Sequence, residues 1–157
     1  MKKCIELVHI STDKAVKPIN FMGASKRLCE KLLLQKSQEG LNMKIVRFGN
    51  VLDSSGSVIP IFRIKFQRRS RYSNFKKAER FFMTIPQAVN LVMKVSIDGE
   101  NSKIYVLDMG KPVKIYDLAK DMISRENNKQ IEIKIIGLRD GEKEREELSF
   151  GKLKKVK

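Results

Sequence analysis

Residues 5–27 read IELVHISTDKAVKPINFMGASKR, and the fold turns on how this stretch divides. The first six residues are a short apolar run, and Ser11, Thr12, Asp13 and Lys14 follow it directly. That pattern predicts a buried parallel strand whose carboxyl end delivers polar groups. After Pro18, residues 21–38 place Met22, Lys26, Cys29 and Leu33 on neighbouring positions of one helix. Gly40 is placed to end it. A strand passing through a polar corner into a helix is a unit of α/β folds.

Working outward, MKIVRFGN (43–50) reads as a second strand and SSGSVIP (54–60) as a loop, with Gly56 its flexible point and Pro60 near the start of a short helix. FQRRSRYSNFKKAER (66–80) has no clear period and is expected to be a surface loop. FFMTI (81–85) predicts a strand, and Pro86 opens a helix to about Val95. KIYVLD (103–108) is a further strand, VKIYDLAKDMI (113–123) has helical spacing, and QIEIKII (130–136) alternates like a half-buried strand. From Gly137 a polar loop followed by a charged helix or frayed end is expected. No repeats or low-complexity linkers interrupt this α/β order.

The 157 residues suffice for one domain with a core. A net charge of +15 favours anionic partners, although most of it reads as solvated surface. Cys4 and Cys29 lie far apart and His9 is the one histidine, so neither a disulfide framework nor a metal site is suggested. That usage fits a reducing, cytoplasmic setting. Met1-Lys2-Lys3 has the charge of a secretion signal, but Glu6 and His9 interrupt the apolar residues behind it. No run reaches the roughly 20 apolar residues of a membrane span.

Met22 and Lys26 stand four apart, the spacing of a tyrosine–lysine pair in which the lysine holds a nicotinamide ribose. By itself that spacing has no weight, because a methionine on a helix face is usually core. An adjacent Asp13 and Lys14 are, in isolation, usually a surface ion pair. The string as a whole is more specific. ISTDKAV, MGASKR, VRFGNVL, SSGSVIP, FFMTIPQAV, VLDMGKPVKIYDLAKDMI and GLRDGEK, in that order, resemble the UDP-N-acetylglucosamine 4,6-dehydratases of capsular polysaccharide biosynthesis, within the extended short-chain dehydrogenase/reductase superfamily. The resemblance runs from about residue 5 to 148, and larger members of that family also carry methionine at the tyrosine position.

The resemblance implies a Rossmann-like α/β fold, NAD(P) as cofactor, a UDP-sugar as substrate, and lyase chemistry without net oxidation. Thr12 would hydrogen-bond the sugar hydroxyl, Asp13 would be the acid that helps water leave, and Lys14 the base at carbon 5. Met22 would stand in the tyrosine position and Lys26 on the nicotinamide ribose. Asn50 would contact the substrate and Arg139 the diphosphate, with Ser54, Ser55 and Ser57 offering donors around Gly56.

Departures accompany the matches. A dinucleotide-binding half needs a glycine-rich turn after its first strand and an acidic residue about 20 positions on, and the sequence has neither. The expectation is therefore a truncated, carboxyl-terminal half: one partial domain, with 1–58 the remaining Rossmann-like part and 59–157 mainly substrate-binding. Asp53 stands where glycine is usual, Asp140 where proline is, and Glu144-Arg145 where the pair is more apolar. Such a half would leave a sheet edge open and depend on a separately encoded amino-terminal half or on self-association, without activity alone. The alternatives are a UDP-sugar-binding module without catalysis, or an anion binder using residues 67–80, where Arg68, Arg69, Arg71, Lys76 and Lys77 surround Tyr72 and Phe75. Nucleic acid is the least favoured partner.

Overall fold

The computed structural model describes residues 6–54, 57–60, 62, 72–74, 77–125, 133–135, 137–138, 140–149 and 155–156. In chain order the strands are β1 (Leu7–Thr12), β2 (Met43–Phe48), β3 (Asn50–Val51), β4 (Tyr72–Asn74), β5 (Glu79–Arg80), β6 (Phe82–Met83), β7 (Ile104–Leu107), β8 (Val113–Lys114), β9 (Ile133–Ile135) and β10 (Lys155–Val156). The helices whose bounds are described are α1 (Phe21–Gln38), α2 (Ile85–Asp98) and α3 (Ile115–Arg125), and residues 58–60 and 62 are also helical. The chain divides into two compact units, one of Met1–Gly49, Pro86–Asp108 and Glu147–Lys157, the other of Asn50–Ile85 and Met109–Glu146.

The first unit is built on a parallel sheet of order β1-β2-β7-β10. β2 is central because its run of Met43, Ile45 and Val46 is buried on both faces, as a parallel strand between helical layers must be. α2 lays Leu91 and Val95 against Val46 and Tyr105. Each such fully buried side chain contributes about 1.5–3 kcal/mol. Pro86 falls in the first turn of α2, where its missing N–H has no carbonyl to bond.

α1 is attached differently. Its buried residues are Gly23 and Glu30, while Phe21 is 96% exposed and Leu28 and Leu32 are more than half exposed. Asn20 caps its start by accepting from Gly23 N at 2.8 Å, and Gly40, at φ +104°, closes its end by donating to Ser37 O. A methyl group at Gly23 would lie 2.4 Å from the carbonyl oxygen of Lys14. The first turn of the helix therefore rests on the backbone just after β1. Gly23→Ala is expected to cost about 1–3 kcal/mol by overpacking, read as a lower urea midpoint. An unchanged midpoint would mean that the helix shifts freely on the strand.

In the second unit β3 pairs with β6 and β4 with β9 in parallel, and β5 pairs with β8 in antiparallel fashion. α3 packs Ile115 and Ala119 against Phe62 and Ala78, flanked by Val58, Phe82, Met122 and Ile133. Asp53 has φ +57°, which accounts for glycine being the easier residue there.

Five sequence expectations change. The first strand runs to Thr12, and the second breaks at Gly49 into β2 and β3. Within the basic stretch expected to be a loop, Tyr72–Asn74 is a strand, held by a ladder to Ile133–Ile135 that no local period announces. Arg68, Arg69, Arg71, Phe75 and Lys76 lie outside the described residues. The charged tail is not a helix where it is described: Lys155–Val156 is a strand beside Val106 and Leu107. FFMTI contributes Phe82–Met83 to a strand and Ile85 to α2.

Candidate active site

β1 ends at Thr12, whose extended backbone (φ −141°, ψ 155°) turns the chain into a 3-10 turn at Asp13–Ala15. The Thr12 hydroxyl caps that turn, accepting from Lys14 N at 3.4 Å and donating to Asp13 Oδ1 at 3.0 Å. Lys14 Nζ donates to the same oxygen at 2.9 Å. Asp13 is wholly buried, and its Oδ2 has no hydrogen-bond partner. Ala15 and Val16, both fully buried, anchor the turn from below. The arrangement is a carboxyl group shielded from water, bonded at one oxygen to a hydroxyl and an ammonium, with its second oxygen buried and unpartnered.

On α1, Lys26 Nζ reaches back to Ile10 O on β1 at 3.4 Å, a long bond that leaves N–H groups of the ammonium for a further acceptor. Met22 is half exposed, so it is not the core residue its type suggests. Thus Thr12, Asp13, Lys14 and Lys26 sit along one strand end and the helix laid on it.

The remaining predicted residues belong to the second unit. Asn50 opens β3, and both its backbone N–H and its side-chain amide donate to Phe81 O, at 2.8 and 3.3 Å. Ser54 donates to Val51 O at 2.8 Å, and Ser57 Oγ is buried without a partner. Ser55 and Arg139 lie outside the described residues.

Sequence reasoning missed a buried ionic cluster behind the turn. Glu30 and Arg47, 0% and 1% exposed, meet fork to fork: Nε donates to Oε1 at 2.8 Å and Nη2 to Oε2 at 2.7 Å. Ser11 Oγ donates to Oε1 at 2.7 Å and Arg27 Nη1 to Oε2 at 3.0 Å. Burial pushes the Glu30 carboxyl up, but Arg47, Ser11 and Arg27 more than offset this and hold it below the usual carboxylate range. The available signal was an arginine inside the apolar run MKIVRF, since a charge in a central strand requires a buried partner.

His9, two residues before Ser11 on the same strand, has a buried Nε2 without a partner. Burial and the Lys26 ammonium lower its pKa, with Glu30 pulling weakly the other way. The folded state therefore takes up a proton less readily than the unfolded chain, whose imidazole titrates near 6.5. The contribution of His9 to stability is complete above that value and declines as pH falls through it toward the lower folded pKa. His9→Leu is expected to lose less stability than the parent between pH 7.5 and 5.5 in urea titrations. Equal losses would remove His9 as the cause.

No helix among the described residues is long and apolar enough to cross a membrane. A family profile described as polysaccharide biosynthesis protein matches residues 1–156. The chain is 45% identical over 148 residues to the capsular polysaccharide biosynthesis protein CapD of Staphylococcus aureus, covering 91% of this chain and 25% of that protein. It is 36% identical over 154 residues to a UDP-glucose 4-epimerase of Rickettsia bellii, covering 94% and 44%. Among solved structures, Pen from Bacillus thuringiensis superposes with a TM-score of 0.84 at 32% identity, over 92% of this chain and 46% of that one. DesIV, a dTDP-glucose 4,6-dehydratase from Streptomyces venezuelae solved with NAD and DAU bound, gives 0.83 at 16% identity, over 92% and 51%, a likeness of fold. The chain spans between about a quarter and a half of the length of these relatives.

Proposed function

The chain belongs to the polysaccharide biosynthesis protein family, a group of nucleotide-sugar dehydratases and epimerases with the extended short-chain dehydrogenase fold, and from that premise we propose that it carries the acid–base residues of a UDP-N-acetylglucosamine 4,6-dehydratase. The reading rests on the buried Asp13 carboxyl, bonded at one oxygen to Thr12 and Lys14 and unpartnered at the other. Loss of water across carbons 5 and 6 needs a base for the carbon 5 proton and an acid for the departing hydroxyl. Moving one proton over 2.9 Å, from Lys14 Nζ to Asp13 Oδ1, turns the ion pair into a neutral amine and a neutral acid. Lys14 then takes the carbon 5 proton and Asp13 gives its own to the leaving hydroxyl. The original ion pair is restored, so the protons balance.

NAD(P), when bound, supplies reversible hydride transfer. The residues present fit its nicotinamide end: Lys26 has N–H groups available to a ribose, and Met22 has no proton to exchange. The chain has no glycine-rich turn for the pyrophosphate, so that group is assigned to an amino-terminal half of the same fold, encoded separately or within a longer chain. Asn50, Ser54, Ser55, Ser57 and Arg139 would hold the UDP-sugar, with Arg139 offering a guanidinium fork to the diphosphate.

The test is an amide NMR titration with UDP-N-acetylglucosamine, followed by a product assay with NAD and an added amino-terminal half. Shifts at residues 12–14 and 50–57, with a dehydrated keto sugar as product, are expected. An epimerised product without water loss would overturn the dehydratase assignment. Shifts without turnover would leave a binding module, and no shifts would remove the substrate class.

A further inference from the structure

We infer that Glu30 and Arg47 are positioning residues that hold Thr12, Asp13, Lys14 and Lys26 in fixed mutual geometry. The inference rests on the proposed acid–base reading for its consequence, but not for its geometry. The Glu30 carboxylate accepts four hydrogen bonds from three elements: Arg47 on β2 gives two, Ser11 on β1 one, and Arg27 on α1 itself one. Arg47 Nη1 also donates to Leu148 O at 3.4 Å, so the tail segment joins the same cluster.

The places where these bonds land matter. Ser11 immediately precedes Thr12, and Glu30 lies one turn beyond Lys26 on the same helix. α1 buries little else against the sheet, since Gly23 is its other buried residue. Without the cluster, the middle of the helix would keep no fully buried side chain against the sheet, while the Gly23 contact holds its first turn and Ser37, bonded to Ser102 at 2.6 Å, its last. The distance from Lys26 to the Asp13–Lys14 pair would then vary, although neither Glu30 nor Arg47 touches that pair. A buried ion pair is a poor source of net stability compared with apolar side chains of similar volume, whereas its fixed fork geometry defines position well.

The test compares the parent chain with E30L/R47M, which replaces the pair by apolar side chains, and with the milder Ser11→Ala. Lysines are 13C-methylated, and the Lys14 and Lys26 signals are assigned by single substitution. Two sharp, distinct signals are expected in the parent, and shifted or averaged ones in both variants at nearly unchanged thermal midpoint. In the assembled enzyme, kcat should fall roughly 10- to 100-fold with little change in KM. Parent-like lysine signals in a folded E30L/R47M would overturn the inference whatever the turnover. Moved signals in a system whose parent form is inactive would sustain the positioning and sink the dehydratase reading. If E30L/R47M does not fold, Ser11→Ala decides: unmoved signals there also overturn it.

Discussion

Arg47→Ala is expected to lower the free energy of unfolding by about 3–5 kcal/mol, because it leaves the Glu30 carboxylate buried and facing an empty space. Ordinary domains have about 5–15 kcal/mol in all, so the variant should be partly unfolded near 37 °C. Urea titration at neutral pH gives the measurement. Two comparisons sharpen it. Arg27→Ala removes a partially exposed donor from the same carboxylate and should cost well under half as much. E30L/R47M, which removes both charges, should recover most of the loss, since the penalty belongs to the stranded charge and not to the missing attraction. An Arg47→Ala chain as stable as the parent would mean that water reaches Glu30 and that the cluster is not dry.

If Asp13 is the acid of the proposed dehydration, Asp13→Asn is expected to reduce turnover by about 10²- to 10⁴-fold in the assembled enzyme, the usual range for loss of a general acid. The amide matches the carboxyl in shape, so the turn should persist, with its oxygen still accepting from Lys14. What disappears is the ability to carry a proton between Lys14 and the leaving hydroxyl. Affinity for the sugar nucleotide should change little, which separates this variant from one that disturbs binding. Turnover retained within a few-fold would assign the acid role to another group.

Much of the architecture is legible in the amino-acid sequence. The bounds of α1 follow from Asn20, a capping residue just after Pro18, and from Gly40, whose positive φ ends the helix. β2 declares itself by the apolar Met43, Ile45, Val46 and Phe48 around two charges, and the corner of Thr12, Asp13 and Lys14 by polar residues directly after an apolar run. The features that escape share one physical cause. β4 and β10 are two- or three-residue strands held by partners about sixty and fifty positions away, and segments that short carry no period of their own. The Glu30–Arg47 pair escapes for the related reason that Arg47 calls for a buried partner without naming it, and Glu30 looks solvated until it is found 17 positions off. Met22, a methionine on a helix face, reads as core, yet its half-exposed state follows from how α1 lies on β1, which no spacing reveals.

The Thr12 hydroxyl has one proton, and Asp13 Oδ1 already receives it; one lone pair meets Lys14 N, leaving a single acceptor site. Any ligand hydroxyl that meets Thr12 must therefore arrive as the donor. The corner has a direction built into it, from ligand oxygen to Thr12 and from Thr12 to Asp13. A ligand whose hydroxyl at that position is replaced by fluorine would keep nearly the same size and still be refused, because it brings no hydrogen to a partner that can only receive one.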